Sequence, residues 1–204
     1  MAVAAIVVWA LYVALATVRP LVAMRLRTGD WGFRPSSGFP RLVAALFPVA
    51  YALVSLGPLL DLPGRLHRVQ ALEGPVAQTV GLVLAAAGLP LIVVAQETMG
   101  RSWRIGVDVE ERTALVTGGP FRWVRNPIYT AMVLMATGVA LLVPDAVTLA
   151  GLGLLLVAVE LQTRVVEEPY LLTAHGDSYR RYAAASGRFL PGVGRIVGSA
   201  TPAG

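Results

Sequence analysis

The chain contains no cysteine. That absence removes disulfide frameworks, thiolate nucleophiles and cysteine-held metal or iron–sulfur centres together. Lysine is absent as well, so all 17 cationic residues are arginine, and Schiff-base or Walker-type lysine chemistry is excluded. The two histidines, His67 and His175, stand far apart in turn-like surroundings, which leaves a metal cluster without ligands. Charge of either sign is scarce. Only 14% of the 204 residues are charged, against 56% hydrophobic, with a mean hydropathy of +0.67. This composition excludes intrinsic disorder, and a water-soluble globule does not carry it.

What is present is a set of long apolar runs at 2–18, 42–60, 76–95, 128–143 and 146–159. They are longer and less patterned than the amphipathic helices of a soluble core. The expected fold class is therefore all-α and integral to a membrane, with five transmembrane helices in a single domain over 1–204. Residues 1–95 supply three N-terminal helices, and 96–204 a C-terminal region with the last two helices and a polar tail. The first run has no basic flank before it and no clean small-residue cleavage site, so it reads as a retained helix and not a signal peptide. The fourth and fifth runs reach only about 24 and 21 Å at ~1.5 Å per residue, short against a hydrocarbon layer of ~30 Å. Between them stand only Pro144 and Asp145, which predicts a tight antiparallel helical hairpin with Asp145 opening the second helix. Gly88-Leu89-Pro90 inside the third run should kink or locally loosen that helix, a bend that either opens a pocket or merely fits a neighbour, and the fit is favoured because Gly and Pro are common in spanning helices.

Arginine placement orients this plan. Alternate connecting segments hold 15 arginines on one side and 2 on the other. By the positive-inside rule, the N-terminus lies outside and the C-terminus in the cytoplasm, of a bacterial inner membrane if the source is bacterial. The segment 19–41 is turn-rich with one interfacial tryptophan, Trp31, and no catalytic role is assigned to it.

The polar residues that could carry chemistry lie in two stretches. The first runs from Thr98 to Tyr129: two short β-prone pieces flank a charged turn at 108–113, then Gly118-Gly119-Pro120 permits a chain reversal and Pro127 opens the fourth helix. Free backbone donors at that helix start, beside Arg122 and Arg125, suit a carboxylate or phosphate. A plainer reading makes these arginines topological anchors and Phe121, Trp123 and Tyr129 an interfacial aromatic belt. The second stretch follows the fifth run. Glu167 and Glu168 are adjacent carboxylates at the exit of a membrane helix, able to attract a sulfonium or accept hydrogen bonds from ribose hydroxyls, or merely to compensate Arg164, Arg180 and Arg181. Pro169 reads as the start of a new helical turn, and Tyr179 and Tyr182 share a face at i and i+3.

Taken in order, Gly119-Pro120-Phe121-Arg122-Trp123-Val124-Arg125-Asn126-Pro127-Ile128-Tyr129, a helical hairpin, Glu167-Glu168, Gly176-Asp177-Ser178-Tyr179-Arg180-Arg181-Tyr182 and Phe189-Leu190-Pro191 resemble the isoprenylcysteine carboxyl methyltransferase family. Phospholipid N-methyltransferases share the outline. The resemblance spans roughly 100–191 and implies an integral membrane methyltransferase that uses S-adenosylmethionine, bound cytoplasmically, on a lipophilic or lipidated acceptor that enters from the bilayer. No nucleic-acid partner is implied. The resemblance puts Val116, Gly118, Arg125, Asn126, Pro127, Tyr129, Glu167, Glu168 and Tyr179 at the cofactor. Asn126 stands where the family carries histidine; it can still donate and accept hydrogen bonds but cannot titrate near neutral pH. Arg125, with Arg122 or Arg164 in support, is expected to hold an acceptor carboxylate. Methyl transfer is an in-line displacement that requires alignment and exclusion of water, and a carboxylate nucleophile needs no general base. The reading is therefore carboxyl methylation of a prenylated or similar substrate. The alternatives are a phospholipid or small-thiol methyltransferase on the same scaffold, an NADPH-dependent membrane reductase like the steroid reductases, and a non-catalytic scaffold or small transporter. An ion path is poorly supported, because Gln78 is the main polar exception within the apolar runs.

Overall fold

The computed structural model describes residues 1–32, 38–64, 66–105 and 114–196. The charged turn at 108–113 and the Pro35-Ser36-Ser37 part of the first polar segment lie outside the described residues. The architecture is all-helical. Seven α-helices are described: α1 (Ala2–Val13), α2 (Arg19–Thr28), α3 (Gly38–Leu60), α4 (Pro75–Met99), α5 (Pro127–Leu142), α6 (Ala146–Leu161) and α7 (Glu168–Ala185). Among the described residues there is no strand; of the β-prone pieces, 98–105 forms the end of α4, a 3-10 turn and irregular chain, and 114–117 irregular chain, with only isolated bridges such as Val124 to Gly187.

Two wider π-turns convert seven helices into five rods, the last of them kinked at Gly176, whose φ of +51° and ψ of −123° are not helical. Ala14–Val18 joins α1 to α2, and Gln162–Glu167 joins α6 to α7. Each π-turn stands just ahead of a proline, Pro20 and Pro169, which lacks the N–H that an α-helix needs. At the first, the carbonyl that Pro20 leaves unpaired is that of Ala16, and the Gln96 side chain donates to it at 2.7 Å. Four of the rods are long and apolar enough to cross a bilayer (Ala2–Thr28, Gly38–Leu60, Pro75–Met99 and Ala146–Ala185), and the fifth, Pro127–Leu142, is shorter. All five predicted apolar runs are thus helical, and the chain is an integral membrane protein.

The Gln96 bond makes a prediction. Gln96→Leu strands a buried carbonyl and is expected to cost about 1–3 kcal/mol, read as a lower melting temperature in detergent. Pro20→Ala, which restores the missing donor, should recover part of that loss. An equal loss in both backgrounds would sink the explanation.

Helix packing follows the small residues. α5 packs chiefly on α4, and α6 on α3. Gly81 and Gly138 meet where α4 crosses α5: a Cβ on Gly138 would lie 2.7 Å from the Gly81 carbonyl oxygen, and one on Gly81 2.8 Å from that of Gly138. Gly88 lies against Met135, so this glycine serves a close fit, and the helix continues through Pro90. Such crossings let membrane helices gain dispersion contact in lipid that offers no hydrophobic drive between them. At the α3–α6 crossing, Gly57 leaves room for Thr148 and Asp145. Asp145 caps α6, accepting from the backbone N–H of Val147 at 2.8 Å and Thr148 at 3.0 Å and from the Thr148 hydroxyl at 2.6 Å.

The connecting segments gather at two ends. At one, Arg19 and Arg27 pair with Glu97, Ile105 N–H donates to the Gly32 carbonyl at 2.9 Å, and the tail after α7 returns to the start of α5. At the other, Val69 N–H donates to the Pro144 carbonyl at 2.8 Å and Arg68 pairs with Asp61. The arginine-rich segments therefore share one end of the bundle.

Candidate functional site

The polar residues singled out in the sequence converge at that arginine-rich end. Gly119–Arg122 forms a 3-10 turn that buries Phe121, whose carbonyl accepts from the Tyr182 hydroxyl at 2.7 Å. The chain then runs beside the segment after α7. Gly187 N–H donates to the Trp123 carbonyl at 2.9 Å, Arg125 N–H to that of Gly187 at 2.7 Å and Asn126 N–H to that of Arg188 at 3.1 Å. The Asn126 side-chain amide donates to the same Arg188 carbonyl at 3.1 Å, and the Thr130 hydroxyl to that of Phe189 at 2.8 Å. Position 126 thus ties the C-terminal segment to the first turn of α5, a task that a non-titrating amide performs.

At the centre lies a charged clamp. The Arg125 side chain is only 2% exposed. Its Nη1 donates to the carbonyls of Ala183 at 3.0 Å and Ser186 at 2.6 Å, and its Nη2 to Glu168 Oε1 at 3.0 Å and the Gly194 carbonyl at 2.9 Å. Its Nε is buried without a partner. Arg188 engages the same carboxylate bidentately, Nε to Oε1 at 2.8 Å and Nη2 to Oε2 at 2.9 Å. Hydrogen bonding to Glu168 holds the Arg188 guanidinium above its ordinary pKa, so it stays charged. Such bidentate, charge-assisted bonds fix geometry as well as sign. Tyr179 is buried nearby, with its ring 6.1 Å from that of Tyr182.

Glu167 goes elsewhere. Adjacent residues on a helix point roughly 100° apart, and where Glu168 faces the tail, Glu167 accepts from the Tyr129 hydroxyl and from Gln162 Nε2, the latter at 3.2 Å. Tyr129 in turn stacks on Phe47 of α3, centroids 5.9 Å apart. On the same π-turn, Gln162 Oε1 and Thr163 Oγ1 are buried without a hydrogen-bond partner. Glu167, Tyr129 and Gln162 therefore form a buried, acceptor-rich polar cluster between α5 and the π-turn, with the Phe47 ring of α3 stacked against it.

The remaining predicted positions lie outside both networks. Arg122 is exposed and stacks its guanidinium on Trp123, 4.9 Å from the ring centroid; Arg164 is exposed and pairs with Glu160 one turn back. Val116 and Gly118 lie on the extended approach to the 3-10 turn, and Pro127 is buried at the start of α5. Sequence reasoning missed Arg188 and Gln162. Arg188 offered one signal, its place directly before the Phe189-Leu190-Pro191 element; Gln162 offered another, a polar side chain five residues ahead of an acidic pair.

Against known proteins, the model of a family described as phospholipid methyltransferase matches residues 76–178. No curated protein matches the chain. The matched stretch takes in nearly all of α4, the turn that carries Arg125, the α5–α6 hairpin and the π-turn with its paired glutamates, and ends before Tyr179 and Arg188. The chain belongs to the phospholipid methyltransferase family, and it is a membrane methyltransferase.

Proposed function

We propose that this protein transfers a methyl group from S-adenosylmethionine to a phospholipid amine headgroup at the arginine-rich face of the membrane. The observation that carries the acceptor class is the saturation of Arg125. Its Nη groups already serve three carbonyls and Glu168, so the cation expected to hold an acceptor carboxylate is committed within the protein. Arg122 and Arg164 are exposed and face other partners. An acceptor without an anion to neutralise at its reacting end fits this site better than a prenylated carboxylate. The arginine asymmetry supports a cytoplasmic position for the site.

The residues present fit the cofactor. Ribose hydroxyls and an amino group are hydrogen-bond donors, and the polar cluster at the π-turn offers acceptors: Glu167, the unpartnered Gln162 Oε1 and Thr163 Oγ1. The cofactor supplies an electrophilic methyl on a positively charged sulfur. Glu167 and the Tyr129 and Phe47 rings would favour that positive charge, with Tyr129 orienting the carboxylate. Glu168, held by Arg125 and Arg188, would act as a positioning residue that keeps α7 and the tail against the start of α5. Val116, Gly118, Asn126 and Pro127 would shape the approach through their backbone, and Tyr179 would pack behind Arg125. The amine would react after losing its proton to water, with S-adenosylhomocysteine as the leaving group, and the protein's contribution is alignment of the nucleophile and exclusion of water.

The test supplies labelled S-adenosylmethionine to the purified protein in mixed micelles that hold either phosphatidylethanolamine or a farnesylated cysteine. Label in the phospholipid alone is the expected result. Label recovered only as a methyl ester would restore the carboxyl reading. Melting temperature is measured beside it: S-adenosylhomocysteine at ~100 times its dissociation constant should add about 2.7 kcal/mol. A shift with reduced nicotinamide dinucleotide instead would transfer the reading to a reductase.

A further inference from the structure

The segment after α7 closes on a tight turn flanked by two exposed apolar side chains, Leu190 and Val193. Arg188 N–H donates to the Val193 carbonyl at 2.7 Å, and Val193 N–H to the Leu190 carbonyl at 3.1 Å, so Leu190-Pro191-Gly192-Val193 forms a closed turn. Pro191 and Gly192 stand at its corners, and Gly192 has φ +77°, the arrangement of a type II turn. Pro and Gly are ordinary corners for such a turn; its flanking positions are what differ. Here the tip offers Leu190, 59% exposed, and Val193, 60% exposed. Trp123, 57% exposed, belongs to the strand of chain hydrogen-bonded to Gly187 just before the turn.

Depth and charge say what covers these side chains. Trp123 lies four residues ahead of Pro127, where the apolar helix α5 begins, and the segment 187–189 is bonded to residues 123–130. The turn therefore rides at the level where α5 leaves the hydrocarbon. Cations surround it. Arg122 stacks on Trp123, and Arg195 lies beside the tip, its Nη2 3.8 Å from where a Cβ on Gly192 would stand. Apolar and indole side chains flanked by arginines suit the boundary between acyl chains and phosphates of an anionic leaflet.

We infer that the Leu190–Val193 turn, with Trp123, is a bilayer-dipping anchor that inserts into the phosphate–acyl boundary beside the charged clamp. This goes beyond the methyl-transfer reading and does not depend on it. Because Glu168 and Arg125 hold both ends of the turn, insertion fixes the height of the clamp relative to lipid headgroups.

The absence of cysteine makes the test direct. Leu190→Cys and Val193→Cys, each the sole thiol, are spin-labelled in the full-length protein in vesicles of phosphatidylcholine with one-third phosphatidylglycerol. Asp177→Cys, at an exposed polar position on α7, serves as the aqueous reference, and Val157→Cys, on an exposed apolar face of α6, as the lipid reference. Melting temperatures within a few degrees of the parent establish that each variant is folded. The expected result is a ratio of oxygen to nickel-chelate accessibility at 190 and 193 at least threefold above that at 177, approaching that at 157. A ratio at 190 and 193 equal to that at 177 overturns the anchor.

Discussion

Glu168→Ala is expected to lower the stability of the protein by about 3–5 kcal/mol, the usual cost of removing one partner from a buried ion pair. For a chain of this length that corresponds to a fall of about 10 °C in melting temperature. Two guanidinium groups depend on this carboxylate, and they cannot both escape: Arg125 is 2% exposed and Arg188 14% exposed, Glu168 itself 9%. Once the carboxylate is gone, Arg125 keeps its carbonyl partners, yet carbonyls offset only part of the charge. Arg188 can swing to water, and with it goes the bidentate bond that pins the tail to α7. Glu167→Gln separates the two acids. It keeps a hydrogen-bond acceptor for Tyr129 and leaves the clamp intact, so its stability should change by less than about 1 kcal/mol, while the stabilisation by S-adenosylhomocysteine falls. The pair is measured by thermal unfolding in detergent with and without that compound. A Glu168→Ala protein as stable as the parent would show that the clamp is not a structural element.

Gly138→Val is expected to do comparable damage from the opposite side of the bundle. Even the Cβ would stand 2.7 Å from the Gly81 carbonyl oxygen and 3.0 Å from the Ala85 nitrogen, both backbone atoms that no rotamer change can move. Relief requires α4 and α5 to separate. Overpacking by one methyl costs about 1–3 kcal/mol, and the branched side chain should exceed Gly138→Ala. Because α5 carries Tyr129 and begins at the clamp, separation there should also weaken cofactor binding. Gly153→Ala is the control: nothing lies within 4 Å of its Cβ, so the change should be neutral or stabilise α6 by a few tenths of a kcal/mol. Equal melting temperatures for Gly138→Val and Gly153→Ala would remove the small-residue crossing from the account.

Much of the candidate site was legible in the sequence, and what was not has a common origin. The order of Arg125, the hairpin and Glu167-Glu168 pointed to the family that the match over 76–178 bears out. Arg125 itself looked like a free cation because a sequence shows a charge and not its partners. Those partners sit 43 to 69 residues further along the chain, and one of them, the Gly194 carbonyl, has no sequence signature at all. Arg188 went unseen for the same reason, since only the return of the tail to the start of α5 makes it a ligand of Glu168.

Five apolar helices, a tight hairpin opened by Asp145 and a sharp division of arginines between two ends were determined by the sequence alone. Each is a local property of residues against lipid or water, set by hydropathy and charge whatever the neighbours. Only the tertiary structure decided that α5 lies chiefly on α4 and α6 on α3, although the two partners of the hairpin are adjacent in the chain. Only it divided Glu167 from Glu168, one turned to Tyr129 and Gln162 and the other to the arginines. In lipid the choice of neighbour is made by small-residue fit and by polar groups that must find partners away from water, and both depend on contacts between distant parts of the chain.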